Sequence, residues 1–197
     1  MPRRSTRSVP TVILHGWQGS PPPHWQAWLA DQLREAGRDV RFPELPEPDR
    51  PTRTDWLAAL RDTLRGLPET GFDLVAHSLG SLLWLHHASA SPAAGSPRPA
   101  RVALVAPVSP HTAIEELASF LPVPIDIDAV RRAAEGTVLV AGDADPYTPE
   151  GIGEAYARPL KVAATVLPGA GHINVVSGFG PWPQMLAWCE RDSLAFF

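Results

Sequence analysis

Six short runs along the chain are apolar or β-branched at nearly every position: Thr11–His15, Asp39–Phe42, Asp73–Ala76, Arg101–Ala106, Thr137–Ala141 and Ala164–Leu167. Unbroken apolar runs of this length predict strands of a parallel sheet covered on both faces, because a strand with one wet face alternates. Segments with helical spacing separate them. Trp25, Trp28, Leu29 and Leu33 share one helix face, and Gly37 ends that helix. Thr54 is the expected cap of a second helix, with Leu57, Leu60 and Leu64 on its apolar face. Leu79, Leu82, Leu83 and Leu85 belong to a third. Further helical segments are expected over Ile114–Phe120, Ile127–Ala134, Thr148–Ala157 and Trp182–Ser193. Strands alternating with helices predict an α/β fold: a doubly wound, mostly parallel six-stranded sheet with right-handed crossovers.

Neither an internal repeat nor a second domain is visible, so residues 11–197 read as one domain behind a basic tail over residues 1–10 with Arg3, Arg4 and Arg7. The 197 residues suffice for one proper core, and an apolar content of 44% suits a soluble globular chain. The 23 prolines cluster in expected loops, and Phe42–Thr52 reads as a rigid loop without regular structure. Nothing is long enough to be a large lid; Pro107–Asp128 is the one candidate for a small flap. A net charge of −4 gives nucleic acid no electrostatic support. No apolar run reaches the roughly 18 residues needed to span a bilayer. No apolar segment follows the tail arginines as a signal peptide would require, and the single cysteine, Cys189, suits a reducing compartment. A cytoplasmic protein is expected, with no nucleic-acid or membrane partner.

The chemistry concentrates in Leu74-Val75-Ala76-His77-Ser78-Leu79-Gly80. An apolar run ends in a serine, glycine follows two residues later, and a helical pattern starts at once. That is the layout of a nucleophile elbow, a sharp strand-to-helix turn that exposes a serine Oγ at the sheet edge. The bland alternative is a serine capping a helix after a strand. Asp145 and then His172 follow in loops after later strands, and Ser, Asp, His is the chain order of an α/β-hydrolase. Asp143 rivals Asp145 from two residues away. It sits nearer the strand, where it can satisfy turn amides, whereas Pro146 holds Asp145 extended and clear of local capping.

An oxyanion hole needs two backbone N–H donors near the serine. Leu79, opening the elbow helix, is one candidate, and Trp17 the other, with Gln18 as its alternative. The glycine-bearing loop His15-Gly16-Trp17-Gln18-Gly19 matches neither a dinucleotide nor a P-loop phosphate cradle. His24 and Trp182, with Trp17, are candidates for the pocket wall. His77 is expected to point away from the site, and His86 and His87 lack metal spacing. No HExxH or CxxC pattern occurs, so no metal and no cofactor are expected.

The residues resemble the small, lidless α/β-hydrolases of the retinoblastoma-binding serine hydrolase and YdeN type. The similarity rests on Ser20 with His24-Trp25-Gln26, the Val75–Gly80 elbow, Leu104-Val105-Ala106-Pro107 and Asp145-Pro146-Tyr147. Its most specific part is Gly171-His172-Ile173-Asn174 followed by Ser177-Gly178, Gly180 and Trp182-Pro183. An elbow that begins with Ala76 is shared with this family. The resemblance implies Ser78, Asp145 and His172 as a catalytic triad. Gly142 and Ala144 depart from it, standing where a serine and an acid often precede the Asp-Pro pair.

These readings point to a serine hydrolase acting on a small-molecule carboxylic ester, thioester or amide through an acyl-enzyme. A protein-interaction module that keeps the hydrolase fold is the alternative from another class. Such a module has no need of an intact triad with both oxyanion loops. A third reading redirects the same residues to a lyase or acyltransferase.

Overall fold

A computed structural model describes residues 9–90 and 96–196. Most of the expected basic tail, residues 1–8, lies outside the described residues, as do residues 91–95 of the proline-rich stretch. Six strands form one parallel sheet: β1 (Thr11–Leu14), β2 (Val40–Arg41), β3 (Thr70–His77), β4 (Arg98–Val105), β5 (Gly136–Gly142) and β6 (Ala163–Leu167), in the spatial order β2-β1-β3-β4-β5-β6. Helices α1 (Trp25–Glu35), α2 (Arg53–Leu64), α3 (Leu79–Ser89), α4 (Ile127–Ala133), α5 (Arg158–Leu160) and α6 (Pro183–Glu190) cover its two faces.

The apolar runs acquire their meaning from this layering. Successive strand side chains point to opposite faces. Val12, Leu14, Leu74, Ala76, Val102 and Leu104 therefore enter one core, with α2, α3 and α4. Ile13, Val75, Ala103, Val105, Val138 and Val140 enter the other, against α1 and α6. Helix α3 lies deepest, and nine of its eleven residues are buried, which is why it is apolar on every side.

Several expectations need correction. β6 is not covered on both faces: it pairs with β5 alone at the sheet edge, and Val166 is 49% exposed. Thr52, not Thr54, caps α2 by accepting the Asp55 N–H at 3.2 Å. The two-residue shift puts Trp56 on the buried face with Leu60 and Leu64 and leaves Leu57 only partly covered. On α1 the buried face carries Ala30 with Trp25, Leu29 and Leu33, while Trp28 is half-buried. The stretch Pro107–Asp128 is no loose flap: Leu117 and Phe120 in a 3-10 turn over Glu115–Phe120 are buried in the core. Residues 148–150 form a turn, and a π-helical segment over Gly153–Ala157 leads into α5. Among the described residues no helix is long and apolar enough to cross a membrane.

The end of the sheet away from the elbow is closed by charge. Asp73 on β3 is fully buried and takes two bonds from Arg101, at 3.0 and 2.5 Å, with Arg38 at 3.7 Å. Arg101 also donates to the carbonyls of Trp188 in α6 and of Arg191 and Ser193 beyond it, and its guanidinium lies 4.2 Å over the Trp188 ring. Removing one partner of a buried ion pair leaves an uncompensated charge, at a cost of about 3–5 kcal/mol. Arg101→Ala should cost that much in denaturant unfolding and loosen α6, while Arg65→Ala, whose Asp62 partner is exposed, should change stability little.

Candidate active site

Ser78 stands at the carboxyl end of β3 with φ 54° and ψ −123°, a backbone region that only a well-held non-glycine residue occupies. Two close contacts hold it. A Cβ on Gly80 would come within 2.6 Å of the His15 carbonyl oxygen, so glycine lets α3 start against the end of β1. A Cβ on Gly16 would lie 2.7 Å from the Ser78 Cβ, so the loop after β1 can pass directly over the serine. The Ser78 N–H donates to the Val105 carbonyl at 2.9 Å, extending the sheet to the turn itself.

The structure brings Ser78, Asp145 and His172 together. His172 Nδ1 lies 2.8 and 3.0 Å from the two Asp145 carboxylate oxygens, and His172 Nε2 lies 2.9 Å from Ser78 Oγ. All three are buried to within 6% exposure. A carboxylate only accepts, so the imidazole proton sits on Nδ1 and Nε2 is left to accept from the serine hydroxyl. Asp145 Oδ1 also takes the Tyr147 N–H at 2.9 Å, so its carboxylate is not clear of the local backbone as Pro146 led us to expect. Asp143 turns away and accepts the Gly169 N–H at 2.7 Å, tying the Asp loop to the His loop.

The His172 loop is itself strained, with Gly171 at φ 51° and the β-branched Ile173 at φ 50°. Two side chains from other elements clamp it. Trp25 Nε1–H donates to the Ile173 carbonyl at 2.8 Å, and His77 Nε2–H to the His172 carbonyl at 3.0 Å. From within the loop, Ser177 Oγ accepts the His172 N–H, and Asn174 Oδ1 accepts the Ser177 N–H. His77 therefore does not point away from the site; its ring lies 5.0 Å from that of His172, because the loop folds back over the β3 end. Among residues whose importance the chain pattern did not signal, Tyr147 packs its ring 4.3 Å from the other side of His172. The Gly-His-Ile-Asn run with Ser177 was the sequence signal for this loop, though not for its clamps.

Ser78 opens into a cavity of about 260 Å³ walled by Trp17, His24, Val108, Leu117, Tyr147 and Asn174, among others. Trp182 is not part of it. Its ring packs in the core against Trp25, Phe179 and Phe196, in the cluster between the sheet and helices α1 and α6. The Leu79 and Trp17 N–H groups have no hydrogen-bond partner among the described residues, whereas the Gln18 N–H is taken by the Pro48 carbonyl at 2.8 Å. The proline-rich loop holds this segment in place: Trp17 Nε1–H donates to Asp49 O, and His15 Nε2 accepts the Leu45 N–H. A larger cavity of about 630 Å³ lies between that loop and α1, with His15 in its wall but no nucleophile–base pair.

A serine hydrolase family model matches residues 11–191. The chain belongs to the serine hydrolase family. It is 26% identical over 175 residues to YdeN of Bacillus subtilis, covering 87% of this chain and 89% of that one. The fold is similar to the crystal structure of the ydeN gene product, with a TM-score of 0.78 at 23% identity over 91% of this chain and 96% of that one. A YdeN-like protein of Pectobacterium atrosepticum is similar at a TM-score of 0.70, 23% identity and coverage of 92% and 88%. Est1E of Butyrivibrio proteoclasticus follows at 0.60, 15% identity and coverage of 89% and 86%. The protein is thus a hydrolase of the small YdeN-like type with the α/β-hydrolase fold, and among the described residues there is no large lid.

Burial keeps several histidines neutral. His24 and His87 are pushed down to about 4, and His15 and His77 are also lowered, in each case mainly by desolvation. In the unfolded chain each titrates near 6.5. Between those values the unfolded state binds more protons than the folded one, so their stabilising contribution is complete above pH 6.5 and is lost as pH falls towards 4. Each such histidine adds a slope of about 1.4 kcal/mol per pH unit. The thermal midpoint should therefore fall between pH 7 and pH 4.5, and His87→Leu should flatten that fall by one proton's worth. A midpoint independent of pH over this range would contradict the assignment.

Proposed function

We propose that the protein hydrolyses small, uncharged carboxylic esters through an acyl-enzyme on Ser78. The observation that carries this reading is the unbroken hydrogen-bonded line from Asp145 through His172 to Ser78 Oγ at the floor of a cavity. Ser78 Oγ attacks the acyl carbon while His172 Nε2 takes the hydroxyl proton. The imidazolium so formed is stabilised by the Asp145 carboxylate on the other nitrogen. The Leu79 and Trp17 N–H groups receive the developing oxyanion; the engaged Gln18 amide argues for Trp17 in that place. The C–O bond then breaks, the leaving alkoxide takes the proton from His172, and water repeats the sequence on the acyl-enzyme. Among the described residues the wall of the cavity holds no Lys, Arg, Asp or Glu, which favours neutral substrates because nothing there offsets the desolvation of an ion. The single cysteine, Cys189, suits a reducing, cytoplasmic setting.

Three measurements test this. Ser78→Ala should stay folded and lose esterase activity by about three orders of magnitude or more; a fluorophosphonate adduct mapped to Ser81, or to no serine, would overturn the assignment. Asp145→Asn should keep the fold and lose up to about four orders of magnitude in kcat, the size of the effect in the chymotrypsin-type case, since an amide favours the wrong histidine tautomer. Asp143→Asn should lower the melting temperature more than the rate, because an amide oxygen accepts the Gly169 N–H more weakly than a carboxylate does; the reverse pattern transfers the role to Asp143. Across p-nitrophenyl esters, kcat/KM should be highest for short acyl groups. A cavity of about 260 Å³ cannot bury a long chain's methylenes, each worth about 0.8 kcal/mol. A steady rise from acetyl to dodecanoyl would refute it.

A further inference from the structure

His24 occupies a position that helix capping alone does not explain. Its Nδ1 accepts the Gln26 N–H at 3.2 Å and so caps α1. That bond requires an unprotonated Nδ1, and the neutral ring then carries its proton on Nε2. The backbone on either side is pinned, with the His24 N–H donating to Pro21 O and the His24 carbonyl accepting from Trp28. The side chain is therefore fixed as well as buried, at 6% exposure. Its ring lies 5.1 Å from that of His77, which lies 5.0 Å from that of His172, and all three line the Ser78 cavity. Among the described residues the Nε2–H has no partner, and it is not one of the sealed, unsatisfied atoms of the core. It opens onto the cavity, where water or an acceptor atom of a bound substrate completes it.

We infer that the His24 Nε2–H is a specificity-determining donor that selects esters carrying a neutral hydrogen-bond acceptor, such as an ether, hydroxyl or carbonyl oxygen, close to the scissile carbonyl. This rests on the hydrolase reading above. The neutral state of the ring follows from burial and from the neighbouring His172, which together push its pKa down to about 4. A neutral donor in an uncharged wall prefers a neutral acceptor, because an anion entering the cavity would shed its water without gaining a cation. Asn174 supports the same preference: its Oδ1 is held by Ser177, which leaves its NH₂ as a second donor on a residue lining this cavity.

The test uses two isosteric ester pairs and the full-length protein. On the acyl side, p-nitrophenyl 3-methoxypropanoate is compared with p-nitrophenyl pentanoate. On the alcohol side, 2-methoxyethyl acetate is compared with butyl acetate. His24→Ser keeps a cap for α1, since serine is a preferred N-cap, but its side chain is too short to reach the Nε2 position in the cavity. The ether-to-alkyl ratio of kcat/KM in the native protein, divided by that in His24→Ser, should be about threefold to tenfold in one pair, what one neutral hydrogen bond supplies, and should fall mainly in KM. The responding pair tells whether the acceptor sits on the acyl or the alcohol part. A double ratio of one in both pairs overturns the inference. Nitrogen-resolved histidine NMR on the native protein gives an answer independent of turnover: a proton on Nε2 of His24 supports the donor, and a proton on Nδ1 overturns it. Fluorophosphonate labelling of the same samples separates the two readings, because native protein that takes no label on Ser78 overturns the acyl-enzyme while the tautomer still decides the donor.

Discussion

Everything at the site depends on one crowded crossing, where the end of β1, the elbow at Ser78 and the first turn of α3 share space that admits no side chain at residues 16 and 80. A serine at φ 54° is a high-energy residue by itself, costing on the order of 1–3 kcal/mol. It persists because the surrounding packing leaves no relaxed alternative: α3 is buried all round, β3 is central in the sheet, and the loop after β1 lies directly across the turn. The cost of this strain is met by core burial some distance from Ser78. What it achieves is placement, with the hydroxyl lifted clear of the sheet and the Leu79 amide beside it.

The same logic repeats at each loop around the serine. The His172 loop carries a second strained residue, Ile173, and is held by an indole and an imidazole from α1 and β3. The loop after β1 is held by carbonyls and an amide of the proline-rich segment, a rigid strut with few conformations to lose. Three loops distant in sequence thus meet with their polar groups already engaged. Preorganisation of this kind is what makes hydrogen-bond donors effective at the moment charge develops.

Electrostatically the site is quiet. Apart from the Asp145 carboxylate behind His172, its walls are neutral, and burial keeps His24 and His77 neutral as well. Neutral imidazoles next to His172 give shape and hydrogen bonds without adding charge. The strong charges lie at the opposite end of the strands, where Asp73, Arg38 and Arg101 close the bottom of the sheet around the last carbonyls of α6.

The chain by itself determined the layers and the order of the chemistry. Continuous apolar runs bounded by turn residues mark strands with two covered faces, and the small residues around Ser78 mark a turn too tight for larger ones. For that reason β1, β3, β4 and β5 and the spacing of serine, aspartate and histidine were legible before any coordinates. Local pattern failed where the outcome depended on a neighbour distant in sequence. β6 has the composition of a covered strand and is an edge; Thr52 and Thr54 differ only in where the preceding proline loop lets the helix begin. Trp182 reads like pocket wall from its place after His172, but the trajectory of α6 sends it into the core. Which of two aspartates meets the histidine, and that His77 turns in to clamp it, are set by how loops after β3, β5 and β6 fold over one another. Those contacts join residues 26 to 95 positions apart, a separation that no periodicity records and only the packed sheet can bridge.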